Sequence, residues 1–409
     1  MHHPMNQPMP DPSDWSDPPG SYIGLRIGDI FQFKTWASLP SLSTALLNVS
    51  ISVGTLIVSL GSLAVSFAVF LPIRTIKTVG DSVLFLTGRS RGDSGGANGR
   101  RRYVVISGAS SGIGAALAVE YASPQTHLIL IARDLTRLHE VAARVQSKGA
   151  TVSVRSIDFF DPAVTAKLSQ LLQEVDNTAD GIDVAISCTS LTGHRSDVLG
   201  PDLDQIPAAP NPTTSGSDGS GSGATGALQG NDCWGATTAS RILQVNVAAS
   251  QEFILRSWEL MRARRLRSGN WTARGPKIIV LSSSTAFYTP ARFALYAASK
   301  AYLYSLTRSL QVASAPYGIG VVVVTPGFME TGMTLTMKRA GATFPGAILG
   351  DPRKLARKIK RSEERNELVV FYPVSQVWAL FSARALNPLL ETFALWAGAA
   401  TGVATWFFS

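Results

Sequence analysis

A β-branched run that ends in closely spaced glycines and passes straight into a helix-forming stretch leaves a chain few folds to choose from. Tyr103-Val-Val-Ile-Ser107 reads as a buried strand, Gly108-Ala-Ser-Ser-Gly112-Ile-Gly114 as a turn, and Ala115 to Tyr121 as a helix. Glycines let the backbone approach a pyrophosphate closely. The helix start adds free N–H groups and the positive end of its dipole. The spacing is Gly-x-x-x-Gly-x-Gly rather than the commoner Gly-x-Gly-x-x-Gly. Gly108, Ser110, Ser111, Gly112, Ile113 and Gly114 are therefore candidate dinucleotide contacts.

The same rhythm continues. Strands are expected at His127–Ala132, Thr151–Ile157, Ile182–Ser187, Lys277–Ser282, Gly320–Thr325 and Leu368–Tyr372. Helices are expected at Leu135–Lys148, Val164–Val175, Phe293–Thr307 and, as one long helix, Ala236–Arg265. Alternating strands and helices predict an α/β fold with a doubly wound parallel sheet. Arg133 directly follows the second strand. An acid there would grip the adenosine ribose hydroxyls of NAD, whereas an arginine suits a 2′-phosphate. NADP(H) is favoured over NAD(H); the competing reading is a surface arginine that opens the next helix.

Tyr296 and Lys300 lie four apart in an Ala- and Leu-rich helix, so they project from one face. A phenol ordinarily titrates near ~10, and a neighbouring positive charge favours phenolate. The pair could move a proton at an oxygen-bearing carbon. It could equally be an exposed Tyr/Lys pair, because this spacing recurs in many helices.

The flanks are different in kind. Residues 1–40 are rich in Pro, Asp, Ser and Met and read as a disordered tail. No basic stretch followed by an apolar one opens the chain, so a cleaved signal peptide is not expected. Residues 41–73 read as a transmembrane helix, since no charged residue occurs from Ala45 to Leu71. A buried core helix is the alternative. Arg74, Lys77, Arg89, Arg91 and Arg100–Arg102 follow that run, which places the next domain in the cytosol. Residues 74–101 form a linker, 102–372 the α/β domain, and 192–235 a low-complexity insertion. Residues 373–409 are apolar and aromatic and suit a membrane interface, or else packing on the domain or a dimer partner. Hydrophobic residues make up 45% of the chain and charged ones 16%, in keeping with membrane segments. The net charge of +9 favours an anionic lipid surface or a phosphate-bearing cofactor over nucleic acid, for which no motif is present. Two cysteines and five histidines show no ligand spacing, so no metal site is expected.

Taken together, Ser107 to Gly114, Asp158, Asn246, Ser283, Tyr296-x-x-x-Lys300 and Pro326-Gly327 resemble the classical short-chain dehydrogenase/reductase family over residues 102–335. The resemblance implies a Rossmann fold and hydride transfer with NAD(P)(H). It implies that Tyr296 is the acid/base, that Lys300 lowers its pKa and holds the nicotinamide ribose, and that Ser283 binds the substrate oxygen. Family spacing selects Ser283 over Ser282 and Ser284. Asn246 would hold a relay water, Asp158 would meet the adenine, and Thr331, beyond Pro326 and Gly327, would meet the nicotinamide carboxamide. One departure stands out: Ser187-Cys-Thr-Ser190 occupies the place of the family's Asn-Asn-Ala-Gly.

An N-terminal membrane helix before such a domain resembles the lipid-directed members of the family. Among these are reductases of 3-ketodihydrosphingosine and acyl-dihydroxyacetone phosphate, and membrane-bound retinol or hydroxysteroid dehydrogenases. The implied protein is an endoplasmic-reticulum reductase of a lipophilic ketone or aldehyde, and it could form homo-oligomers. Two rivals are a non-catalytic dinucleotide-binding membrane scaffold and an anchored reductase of a soluble substrate.

Overall fold

The computed structural model describes residues 101–179, 181–192, 236–268, 275–287, 294–339, 349–374 and 376–377, together with isolated positions between 50 and 68. The tail, the linker up to residue 100, and residues 193–235 of the insertion lie outside the described residues. So do most of the 41–73 run and everything past 377. Among the described residues no helix is long and apolar enough to cross a membrane.

Seven strands form one parallel sheet. They are β1 (Arg102–Ser107), β2 (Thr126–Ala132), β3 (Thr151–Ser156), β4 (Val184–Ser187), β5 (Lys277–Leu281), β6 (Gly320–Pro326) and β7 (Val369–Tyr372). Their spatial order is β3-β2-β1-β4-β5-β6-β7. All six pairings are parallel, for example Val104 beside Leu128 on one side and Val184 on the other.

Helices cover both faces, so the strands bury both sets of side chains, and their near-continuous β-branched runs follow from that. On one face Val104 and Ile106 pack with α1 (Gly112–Tyr121), α2 (Leu135–Gln146) and the late helix Pro352–Glu364, through Leu117, Leu138, Val141, Leu355 and Ile359. On the other, Val105 packs with α3 (Val164–Ala179) and the helices Ser250–Ser268 and Ala294–Ser314, through Leu168, Leu172, Phe253, Met261 and Leu303. Each fully buried Leu, Ile or Val contributes about 1.5–3 kcal/mol.

The single helix expected from Ala236 to Arg265 is instead broken. An α-helical piece, α4 (Ala236–Ile242), passes into a π turn (Leu243–Ala249) and then into α5 (Ser250–Ser268). The wide turn centres on Asn246, which is fully buried. Tertiary hydrogen bonds of its amide, described below, hold the extra residue, and local periodicity carries no sign of them. The Tyr/Lys helix, α6 (Ala294–Ser314), extends well past Thr307. After β6 come α7 (Gly332–Arg339) and α8 (Pro352–Glu364).

Candidate active site

The strand order reverses between β1 and β4, where successive connections leave in opposite directions and open a crevice at the strands' carboxyl ends. A cavity of about 350 Å³ occupies it. Gly108 after β1, Arg133 after β2, Asp158 after β3, Cys188 after β4, Ser283 after β5 and Gly327 after β6 all line it.

The glycine turn is built for backbone proximity. Gly108 and Gly112 take φ of +72° and +54°, the left-handed region that a side chain disfavours. A Cβ on Gly108 would stand 2.9 Å from Cys188 C and Thr189 N. Ser111 caps α1 in an extended conformation without a side-chain hydrogen bond, and no acidic residue lies in the first turn. The N–H groups there are thus left to an anion. Gly108, Ser110, Ser111, Gly112 and Ile113 line the cavity.

Gly114 does not. It packs on the turn itself, where a Cβ would meet Gly108 O at 2.1 Å, so it supports the turn. Gly114→Ala is expected to destabilise the domain by about 2–3 kcal/mol, because backbone and no flexible side chain must yield. Urea unfolding of the two proteins measures it; an unchanged midpoint would remove Gly114 from this role.

Tyr296 and Lys300 meet at the cavity from α6. Lys300 is 1% exposed; its Nζ donates to Leu281 O at 3.0 Å and lies 5.7 Å from the centre of the Tyr296 ring. Burial pushes the ammonium down to about 8, with the nearby Cys188 acting the other way. Burial pushes the Tyr296 phenol up, opposed first by the Ser283 hydroxyl and then by that of Ser190. Burial, rather than the lysine's charge, is the largest influence on the phenol. Desolvation dominates both groups, because neither charged form has an opposite charge beside it. Burial also pushes the Cys188 thiol up to about 12, which keeps it neutral.

The three serines after β5 divide their work. Ser282 Oγ donates to Lys300 O at 2.7 Å and is spent holding α6. Ser283 faces the phenol and accepts from Thr285 N at 3.2 Å. Ser284 starts the short 3₁₀ turn Ser284–Ala286.

Asn246 stands behind the cavity. Its Oδ1 accepts from Leu191 N at 2.7 Å, and its Nδ2 donates to Leu191 O at 2.8 Å and to Ser299 Oγ at 3.0 Å. Ser299 Oγ in turn donates to Tyr296 O at 2.7 Å. The side-chain amide is thus fully engaged in tying the loop after β4 to the catalytic helix.

The remaining candidates border the cavity. Pro326, Gly327 and Thr331 line it, and Thr331 Cγ2 lies 3.3 Å from where a Gly112 side chain would begin. Asp158 Oδ1 accepts from Phe160 N at 3.0 Å. The Arg133 guanidinium lies 5.6 Å from the Phe160 ring centre, and that of Arg241 lies 5.3 Å from it. Sequence reasoning singled out neither Arg241 nor the lining residues Phe160, Leu191 and Val245. Most are ordinary apolar residues, and only their place at strand ends gives them a role.

The residues present fit a dinucleotide: a glycine turn that leaves the backbone open to close approach, an uncapped helix start, and a buried Thr189 hydroxyl without a partner beside Gly108. The family described as short chain dehydrogenase matches residues 102–204 and 236–340. The chain is 29% identical over 305 residues to 11-beta-hydroxysteroid dehydrogenase A of Sesamum indicum, covering 70% of this chain and 73% of that one. It is 25% identical over 259 residues to a very-long-chain 3-oxoacyl-CoA reductase-like protein of Arabidopsis thaliana, covering 62% and 68%. Among solved structures, levodione reductase superposes with a TM-score of 0.52 at 18% identity, covering 68% and 99%, which is a likeness of fold. With half of its residues matched by the family, and with the fold and the cavity to go with them, this chain belongs to the short-chain dehydrogenase/reductase family of NAD(P)-dependent oxidoreductases.

Proposed function

We propose that this oxidoreductase is anchored in a membrane, prefers NADP(H), and interconverts a carbonyl and a hydroxyl on a lipophilic substrate. The observation that carries the reading is the contrast inside one cavity: the Tyr296 phenol and Ser283 hydroxyl meet among Leu191, Val245, Phe328, Met329 and Met333. A few convergent polar groups in an apolar wall suit a greasy molecule with one reactive oxygen. When bound, the nicotinamide supplies or accepts the hydride.

The chain's own residues handle the oxygen. Ser283 donates to it, and Tyr296 gives or takes its proton, so charge developing there meets donors already in place. Lys300, close to half-ionised at about pH 8, can hold a polar group beside the phenol. Arg133, exposed at the cavity's edge after β2, supports the NADP(H) reading, since a guanidinium there suits a 2′-phosphate. The names of the two plant relatives, an 11-beta-hydroxysteroid dehydrogenase and a very-long-chain 3-oxoacyl-CoA reductase-like protein, refer to lipophilic molecules and support the substrate class. The uncharged run before the domain and the basic residues after it support an endoplasmic-reticulum anchor with the catalytic domain in the cytosol.

The test is oxidation of NADPH by the full chain in membranes. Long-chain 3-keto lipids and ketosteroids would be compared with small water-soluble ketones, and NADPH with NADH. Faster turnover of the lipids is expected, and turnover of small ketones alone would defeat the substrate class. Arg133→Ser is expected to weaken NADPH binding roughly tenfold, the loss of one charge-assisted hydrogen bond, and to spare NADH. Equal effects on both cofactors would defeat the NADP(H) preference.

A further inference from the structure

Among the described residues, three hydroxyls in the cavity wall are closed off from solvent and make no hydrogen bond: Thr189 Oγ1, Ser190 Oγ and Thr285 Oγ1. Buried polar atoms are nearly always paired, so unpaired ones that line a cavity mark where a polar ligand group belongs. Thr189 lies against the glycine turn. Ser190 lies at the reacting end. Its hydroxyl faces the Tyr296 oxygen closely enough to favour phenolate, yet falls short of ordinary hydrogen-bond geometry, so its proton remains uncommitted.

Its place is also enforced. The next residue, Leu191, has both N–H and C=O clamped by Asn246. Asn246 bonds Ser299, and Ser299 bonds the backbone of Tyr296 itself. A chain of hydrogen bonds through the buried Asn246 amide thus sets Ser190 relative to the catalytic phenol. A glycine, which the resembled family pattern has here, would bring no hydroxyl.

We propose that Ser190 is a third hydrogen-bond donor to the substrate oxygen, completing with Ser283 and Tyr296 a three-sided cradle. A carbonyl oxygen offers two lone pairs, whereas an alkoxide offers three. The third donor is therefore matched to the alkoxide-like transition state more than to the ketone, and it acts on kcat rather than on KM. This rests on Tyr296 acting as the acid/base of the reading above.

Two measurements on the full chain test it. In the first, near-ultraviolet phenolate absorbance is titrated without substrate, and subtraction of the Tyr296→Phe protein isolates this one phenol. Ser190→Ala is expected to raise its midpoint by roughly 0.5–1 unit, a three- to tenfold loss of phenolate at a given pH. In the second, a ketosteroid or 3-keto lipid turned over by the wild type is expected to show about a three- to tenfold fall in kcat at a nearly unchanged KM. Ser190→Thr, which keeps a hydroxyl, is expected to restore both. An unmoved midpoint with unchanged kcat overturns the proposal, as does a rise in KM alone. If Ser190→Ala is silent while Tyr296→Phe is inactive, only the role of Ser190 falls. If Tyr296→Phe is fully active, the acid/base assignment beneath it falls instead.

Discussion

Tyr296→Phe is expected to lower turnover by about a hundred- to ten-thousandfold, the range general acid–base catalysis supplies. The change removes one oxygen and leaves the ring, so the packing of α6 should hold and thermal unfolding should barely move. Dinucleotide affinity should fall far less than turnover, because the glycine turn, Arg133 and Thr331 line the cavity independently of the phenol. The pair of measurements is steady-state turnover and fluorescence titration of NADPH. A variant that retained most of its turnover would show that another group moves the proton. Among the described residues, the side chains that hydrogen-bond towards the phenol's oxygen are Ser283 and Ser190, and neither is an acid near neutral pH.

Lys300→Met is expected to act in two opposite senses: lost turnover and gained stability. The ammonium is buried, with one carbonyl partner, Leu281 O at 3.0 Å. Its folded pKa of about 8 lies below the ordinary 10.5, so folding disfavours its charged form. The sign follows from proton counting. Between about pH 8 and 10.5 the unfolded chain binds more protons at this site than the folded one, so stability rises with pH across that window. Below pH 8 the full penalty is present, on the order of 3 kcal/mol. Methionine removes the charge and keeps the length. It leaves the Leu281 carbonyl without its donor, which costs about 1 kcal/mol. A net gain of about 2 kcal/mol in the cofactor-free protein at pH 7 is expected, shrinking towards pH 10. Urea unfolding of both proteins at the two pH values checks it. An equal stability difference at both would mean that the amine is not the titrating group.

These expectations draw unequally on sequence and structure. The alternation of β-branched runs with Ala- and Leu-rich stretches announced every strand, because burial on both faces of a parallel sheet demands such runs. The turn from Gly108 to Gly114 announced the crevice, because glycine takes the positive φ values found at 108 and 112 without the strain a side chain brings. Tyr296 and Lys300 announced themselves by a spacing that any helix converts into proximity. Local geometry is enough for all of these, and local geometry is what a sequence states.

The rest waited on contacts between residues far apart in the chain. Asn246 bends its helix into a π turn because Leu191 and Ser299, at sequence separations of 55 and 53, bond its amide. Ser282 and Ser283 are chemically alike, and only the packing of α6 against β5 turns one towards a backbone carbonyl and the other towards the phenol. Gly114 supports the turn because its neighbour is the carbonyl of Gly108 rather than open space. The direction of each pKa shift was likewise beyond the sequence. A charge four residues away predicts one sign, and desolvation by the whole fold imposes the other. What the order of residues determined about this protein is its sheet, its phosphate turn and its proton-moving pair; what only the folded molecule decided is which hydroxyls face that pair and how readily its members ionise, since burial and long-range hydrogen bonds exist only once the chain has closed on itself.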